Sequence, residues 1–218
     1  MGDIRNTNPD LKWEVKHTFN TGFEIALFGN RLLLSANYYN SRTTDMLYLY
    51  NVSVPPFTYN TLLANIGSMR NWGTEIAIGI TPLKTKDMEL NINANITFQR
   101  NKLLSLSGMY NGEMLSASEY KSLASLDGAG FHGGYNHILY QMVGQPLGVF
   151  YLPHSTGLES DGNGGYTYGI ADLNGGGVSL EDGEDRYVAG QAVPKTILGS
   201  NISFRYKPSD IKSTTELP

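Results

Sequence analysis

Apolar and polar residues alternate along this chain with a period of two. In Met88–Phe98 the even positions are Met88, Leu90, Ile92, Ala94, Ile96 and Phe98, and Glu89, Asn91, Asn93, Asn95 and Thr97 lie between them. Successive side chains of a strand point to opposite faces, so this segment has one apolar and one polar face. A helix would mix both sets on every side. The preceding segment repeats the pattern, with Trp72, Thr74, Ile76, Ile78 and Ile80 on one side and Asn71, Gly73, Glu75, Ala77, Gly79 and Thr81 on the other. Lys84–Asp87 forms a polar turn between the two, which predicts a hairpin. Upstream, Trp13, Val15, His17, Phe19, Thr21, Phe23, Ile25 and Leu27 alternate with mostly polar residues. Gly29-Asn30 supplies a turn of residues that tolerate positive φ, and Leu32, Leu34, Ala36 and Tyr38 continue on the return strand. Leu198, Ile202, Phe204 and Tyr206 mark a fifth strand, followed by a turn at Pro208-Ser209-Asp210. The expected strands are 11–28, 31–42, 71–82, 88–100 and 196–207, with long connections at 43–70 and 101–195.

Strands of about 12 residues exceed the 5–6 usual in soluble sheets. They match a tilted membrane strand, which needs about 9–11 for the hydrocarbon alone. The polar faces are rich in Asn, Thr, Ser and Gly and poor in Lys, which suits a hydrated lumen. Trp13, Trp72, Tyr38, Tyr39 and Tyr206 fall near strand ends, as in the aromatic girdles of outer-membrane barrels. Connections run short, long, short, long, short, as in a barrel with short periplasmic turns and long outer loops. The expected fold is therefore all-β, an antiparallel up-and-down meander forming part of a transmembrane β-barrel with long extracellular loops. The alternative is a soluble β-sheet module that binds glycans or acts as an adhesin, which would be monomeric in buffer without detergent.

Composition agrees. Charged residues make up 17% of the 218, Gly numbers 25 and Tyr 14, and Cys is absent. The net charge of −4 and the lack of any Lys/Arg run argue against a nucleic-acid partner. No apolar run is long enough for a transmembrane helix, so membrane entry would require a closed barrel. In the long connections, Pro55-Pro56 should block regular pairing, Ser116–Leu126 predicts a short helix with Ser116 or Ser118 as N-cap, and Asp161–Asp185 reads as Gly-rich acidic loop. Asp172-Leu173-Asn174-Gly175-Gly176-Gly177 starts like a calcium loop, which makes Asp172, Asn174 and Asp185 candidate calcium ligands. Gly176 stands where a ligand is needed and Gly183 where the closing Glu belongs, and Asp182 or Glu184 would substitute only in a longer loop. The alternative is a solvated Gly-Asp turn cluster. His17, His132, His137 and His154 lack metal spacing, and no nucleophile–base set or phosphate loop is present, so no enzyme is expected. No other cofactor is expected. Glu75 and Glu89 on the polar faces read as lumen lining.

Five ordered motifs resemble one family. Asn8-Pro9-Asp10-Leu11-Lys12-Trp13-Glu14 is similar to the strand-opening motif of SusC/RagA-type TonB-dependent transporters. Tyr38-Tyr39 with Thr43-Thr44-Asp45-Met46-Leu47 resembles its tyrosine strand end and T-x-D-x-L element. Asn65-Ile66-Gly67-Ser68-Met69 with Asn71, Gly73 and Glu75 resembles N-I-G-x-x-x-N-x-G-x-E. Gly144-Gln145-Pro146-Leu147-Gly148 with Phe150-Tyr151 resembles G-Q-P-x-G-x-F-Y. Asp172-Leu173-Asn174-Gly175, then Asp185-Arg186, Gly190 and Pro194, resembles the D-x-N-G-D-G…D-R…G…P run. The resemblance implies a 22-stranded outer-membrane barrel with an N-terminal plug, oligosaccharide or peptide substrates, a SusD-like lipoprotein lid, energy delivered through TonB, and outer-membrane lipid around the wall. Within these 218 residues no stretch reads as the family's plug, TonB box or signal peptide. The chain is therefore expected to be a barrel fragment, inactive when isolated. Lys212–Pro218 lacks apolar alternation and is expected to lie outside any strand.

Overall fold

The computed structural model describes residues 6–117, 120–125, 137–179, 184–207 and 209–217. Two compact units divide the chain, one of residues 1–117 with 194–218, the other of residues 118–193.

The first unit is built on β1 (Val15–Leu27), β2 (Leu32–Thr44), β5 (Ser68–Lys84), β6 (Met88–Ser105), β15 (Thr196–Tyr206) and β16 (Ser209–Leu217). They form one six-stranded sheet in that order, every neighbour antiparallel. All five expected strands are present, three of them ending beyond the apolar run that announced them. Phe28, Gly29 and Asn30 take positive φ in the first turn, and Thr85 N–H donates to Met88 O at 2.8 Å in the second. The expected absence of a strand at 212–218 is overturned. Residues 209–217 pair with β15 from Tyr206↔Ser209 to Leu198↔Leu217. Backbone pairing needs no apolar alternation, so the segment carried no periodic signal. Ser209 and Asp210 belong to that strand rather than to the turn before it.

The connection 45–67 is a hairpin of β3 (Leu47–Asn51) and β4 (Thr61–Asn65), with Pro55 and Pro56 in its tip. After β6 come β7 (Ser107–Tyr110) and β8 (Glu113–Ser116), a second small hairpin. Leu62, Ala64 and Ile66 form the buried apolar cluster of this unit, packed against Tyr48, Tyr50, Phe57 and Tyr110. That core lies among the hairpins. Phe19, Phe23, Ile76, Leu198 and Ile202 on the main sheet remain exposed.

In the second unit, β14 (Arg186–Gln191), β11 (Val149–Pro153), β10 (His137–Met142) and β9 (Tyr120–Ser125) make a four-stranded sheet. The helix expected over Ser116–Leu126 is not formed. Tyr120–Ser125 pairs instead with β10, and tertiary pairing overrides a local capping signal. β12 (Ser155–Ser160) and β13 (Tyr166–Ile170) form a hairpin, so 166–170 is strand inside the stretch expected to be all loop.

Candidate functional site

Cross-strand partners in an antiparallel sheet share a face, so the register assigns each residue of the main sheet to one side. Phe23, Ala36, Ile76, Ile96 and Leu198 form one row across five strands, and Leu27, Leu32, Ile80, Ile92 and Ile202 form another. One extra residue between Ile80 and Leu83 makes a bulge that returns Leu83 to the same face, opposite Leu90. The apolar band runs from the Phe98 row to the Met88 row, ten residues along β6. At about 3.4 Å per residue and a tilt near 45°, that is roughly 24 Å, the height of an outer-membrane barrel's apolar belt. Tyr38, Trp72 and Phe98 edge it at one end and Tyr206 at the other.

The opposite face is polar. Gly22, Asn37, Glu75 and Thr97 share a row, and Glu24, Ser35, Ala77, Asn95 and Gly199 the next. Two hollows lie on this face, one of about 700 Å³ near Ser35 and Asn95, the other of about 430 Å³ near Lys16, Tyr39 and Asn71. Near the short turns Arg205 pairs with Glu89 at 2.6 Å, and Asn91 donates to Glu89 at 3.1 Å. The short turns all leave one end of the sheet, and the long connections leave the other.

A wall with apolar rows on one side, a mostly polar face bearing two hollows on the other, and long connections leaving one end is the construction of an outer-membrane barrel. The family model described as "TonB dependent receptor-like, beta-barrel" matches residues 1–210. The chain belongs to that family. The TonB-dependent receptor P3 of Formosa agariphila is 29% identical over 94% of this chain and 20% of its own length. The TonB-dependent receptor SusC of Bacteroides thetaiotaomicron is 26% identical over 93% of this chain and 19% of its own length. The chain thus spans about a fifth of the curated relatives it matches. The RagAB peptide transporter structure superimposes with TM-score 0.67 at 22% identity, covering 97% of this chain and 22% of the other. A RagAB peptide importer in the closed-closed state gives 0.68 at 20% identity. These likenesses concern the fold, and the family is one of outer-membrane proteins.

The TonB-dependent receptor motifs acquire physical roles in the structure. Asn65 is a clamp: its Oδ1 accepts Lys12 N–H at 2.7 Å, while its Nδ2 donates to Lys12 O and Asp45 O, both at 2.8 Å. Asn8 donates to Leu63 O at 3.0 Å and Glu14 accepts Leu47 N–H at 2.8 Å, so the 6–14 segment is tied along the β3–β4 hairpin. Asn8, Asp10, Lys12, Asp45 and Asn65 border a polar hollow of about 640 Å³ there. Gly67 has φ +123°, and Met46 N–H donates to its carbonyl at 3.2 Å. In the second unit Gly148 has φ +66° and accepts Ala192 N–H at 2.8 Å, seating the buried Val149.

The Asp185-Arg186 pair is a structural fastening. Asp185 is fully buried, and its two carboxylate oxygens accept Leu173 N–H at 2.7 Å and Ser179 N–H at 2.6 Å. Arg186 is also buried and donates to His137 O at 3.0 Å and to the Tyr140 hydroxyl at 3.1 Å. Among the candidate calcium ligands, Asp172 accepts the N–H groups of Gly175 at 2.6 Å, Gly177 at 3.0 Å and Asn174 at 3.2 Å. Those bonds, Gly177's first, hold the Asp172 carboxyl below its ordinary pKa of 3.8. Asn174 Oδ1 accepts Gly176 N–H at 2.8 Å. As arranged, these oxygens face backbone donors, and among the described residues no three His, Asp or Glu gather as a metal cage. Asp182 and His132 lie outside the described residues. His17 is on β1, His137 Nδ1 lies 2.8 Å from Ser122 Oγ, and the His154 ring is 5.2 Å from Tyr187.

The motifs marked Asn65 and Arg186 in the sequence without saying what they hold. Each reaches partners tens of residues away, which no local spacing encodes.

Proposed function

We propose that the chain is a wall-and-loop segment of a TonB-dependent outer-membrane transporter that imports oligosaccharides or peptides. In the whole protein it would work with a SusD-like lipoprotein lid and with TonB, as a conduit wall and not a catalyst. One observation carries the reading: apolar rows continuous across the sheet, opposite a polar face with hollows. The absence of Cys allows a direct test. Single cysteines replace Ile78 and Asn93 in the chain held in detergent micelles, which cover an apolar face without requiring a closed barrel. A water-soluble maleimide should label Asn93→Cys and leave Ile78→Cys unmodified. Equal labelling of both would favour a soluble sheet and overturn the wall.

The 218-residue chain alone is proposed to be inactive in transport, because its sheet ends on β1 and β16 without closing. Reconstituted vesicles should take up labelled maltooligosaccharide or peptide no faster than empty ones. Faster uptake would refute this. Calcium on Asp172, Asn174 and Asp185 is a separate proposal supported by residue spacing alone. Binding would displace N–H groups from Asp172, so calcium should shift the Gly175 and Gly177 amide resonances. Unchanged resonances at saturating calcium would exclude it.

A further inference from the structure

On the apolar face, beyond the aromatic edge and toward the long connections, the character of the surface changes abruptly. His17, Arg42, Arg70 and Lys102 stand directly opposite one another on four successive strands. The next row toward the apolar band is Phe19, Asn40, Trp72 and Arg100. Arg42, Arg70, Arg100 and Lys102 are exposed, and among the described residues none forms an ion pair. Like charges directly opposite across strands repel, so three cations in one row need an anion to offset them. Arg70 is held for such a task. Its Nε donates to Asn40 Oδ1 at 2.9 Å, and its guanidinium carbon lies 4.9 Å from the Trp72 ring centroid. A guanidinium has five N–H donors in a fork suited to phosphate oxygens, and fixing Nε leaves the terminal pair available to a ligand. Arg100 is braced likewise by donating to Lys195 O at 3.0 Å.

We propose that this row binds the phosphate of an outer-leaflet glycolipid, a phosphorylated lipid A. The inference rests on the barrel-wall reading, which sets this face against lipid and this end outward. The height fits: the Arg70 row lies four residues beyond the Phe98 row, roughly 10 Å above the hydrocarbon edge for a tilted strand, at headgroup depth. The apolar rows below would take the acyl chains and the row above the phosphate. An acidic protein would meet the cations equally well but would have to displace lipid from the apolar rows beneath, which favours the lipid.

The test uses the full chain in mixed micelles of detergent and phosphatidylethanolamine containing either phosphorylated lipid A or the same glycolipid after phosphatase treatment. Co-purifying glycolipid is measured for the unaltered chain and for a variant with Arg42→Gln, Arg70→Gln and Lys102→Gln. The unaltered chain should retain about tenfold more of the phosphorylated form, and the variant should lose that preference. Equal retention of both forms by the unaltered chain, which needs no variant to fold, would overturn the proposal. So would a variant that keeps the preference. In parallel, Trp72 fluorescence in a Trp13→Phe background is read in mixed micelles of detergent and brominated lipid. Quenching without phosphate preference would sink this inference alone. Absence of quenching would sink the wall reading with it.

Discussion

Tyr39 lies across Gly73 on the polar face of the main sheet. A Cβ at Gly73 would stand 2.7 Å from the Tyr39 hydroxyl and 2.5 Å from Phe98 O. The glycine of the N-x-G-x-E motif therefore makes room for an aromatic ring beside the Lys16–Asn71 hollow. Gly73→Ala should destabilise the β2–β5–β6 region by about 1–3 kcal/mol, the range for overpacking. Adding Tyr39→Ala should recover only part of this, because the Phe98 carbonyl stays close. Urea unfolding of the chain in detergent measures both.

Ile78 sits near the middle of the apolar band and Asn93 faces the other way on the neighbouring strand. A Lys in place of Ile78 should cost about 2–4 kcal/mol in a bilayer, while Asn93→Lys should cost well under 1 kcal/mol. Urea-induced release from vesicles gives both values. Similar costs at the two sites would contradict a lipid-facing wall.

Asn65→Ala removes three hydrogen bonds, to Lys12 N–H, Lys12 O and Asp45 O. The expected outcome is local: faster hydrogen exchange and proteolysis over residues 6–14, with the main sheet unaffected. Asn65→Asp keeps the acceptor for Lys12 N–H but loses both donated bonds, so its exchange rates should fall in between. An unchanged 6–14 segment would mean that the clamp is dispensable.

Asp172 supplies the pH dependence. Its carboxyl is held below 3.8 by the N–H groups of Gly177, Gly175 and Asn174, which bind the ionised form. A depressed folded pKa contributes stability above the unfolded value and loses it as pH falls through the folded one. Order in 172–177 should therefore be full at neutral pH and lost only below about pH 3.8. Amide shifts of Gly175 and Gly177 followed by NMR check this, and Asp172→Asn should remove the transition.

Much of the main sheet was legible because period-two alternation is a local property. The apolar faces of Met88–Phe98, Trp72–Ile80 and Val15–Leu27 were assigned from spacing alone, and the register aligned them without exception. Where alternation faded, reading failed. Residues 209–217 and 166–170 form strands through backbone pairing with little patterned side-chain signal. Tyr120–Ser125 follows a helix-start signal at Ser116 or Ser118 and is a strand through its pairing with β10.

The sequence by itself determined the strand type, the two faces of the wall, the alternation of short and long connections and the family, since each is written in neighbouring residues. Only the tertiary structure decided what the motifs hold and which charges meet. Asn65 and Lys12 are 53 positions apart, and Arg42, Arg70 and Lys102 become neighbours only once three strands share a register. Cross-strand contact depends on pairing offsets set by the whole sheet, and a linear reading does not contain those offsets.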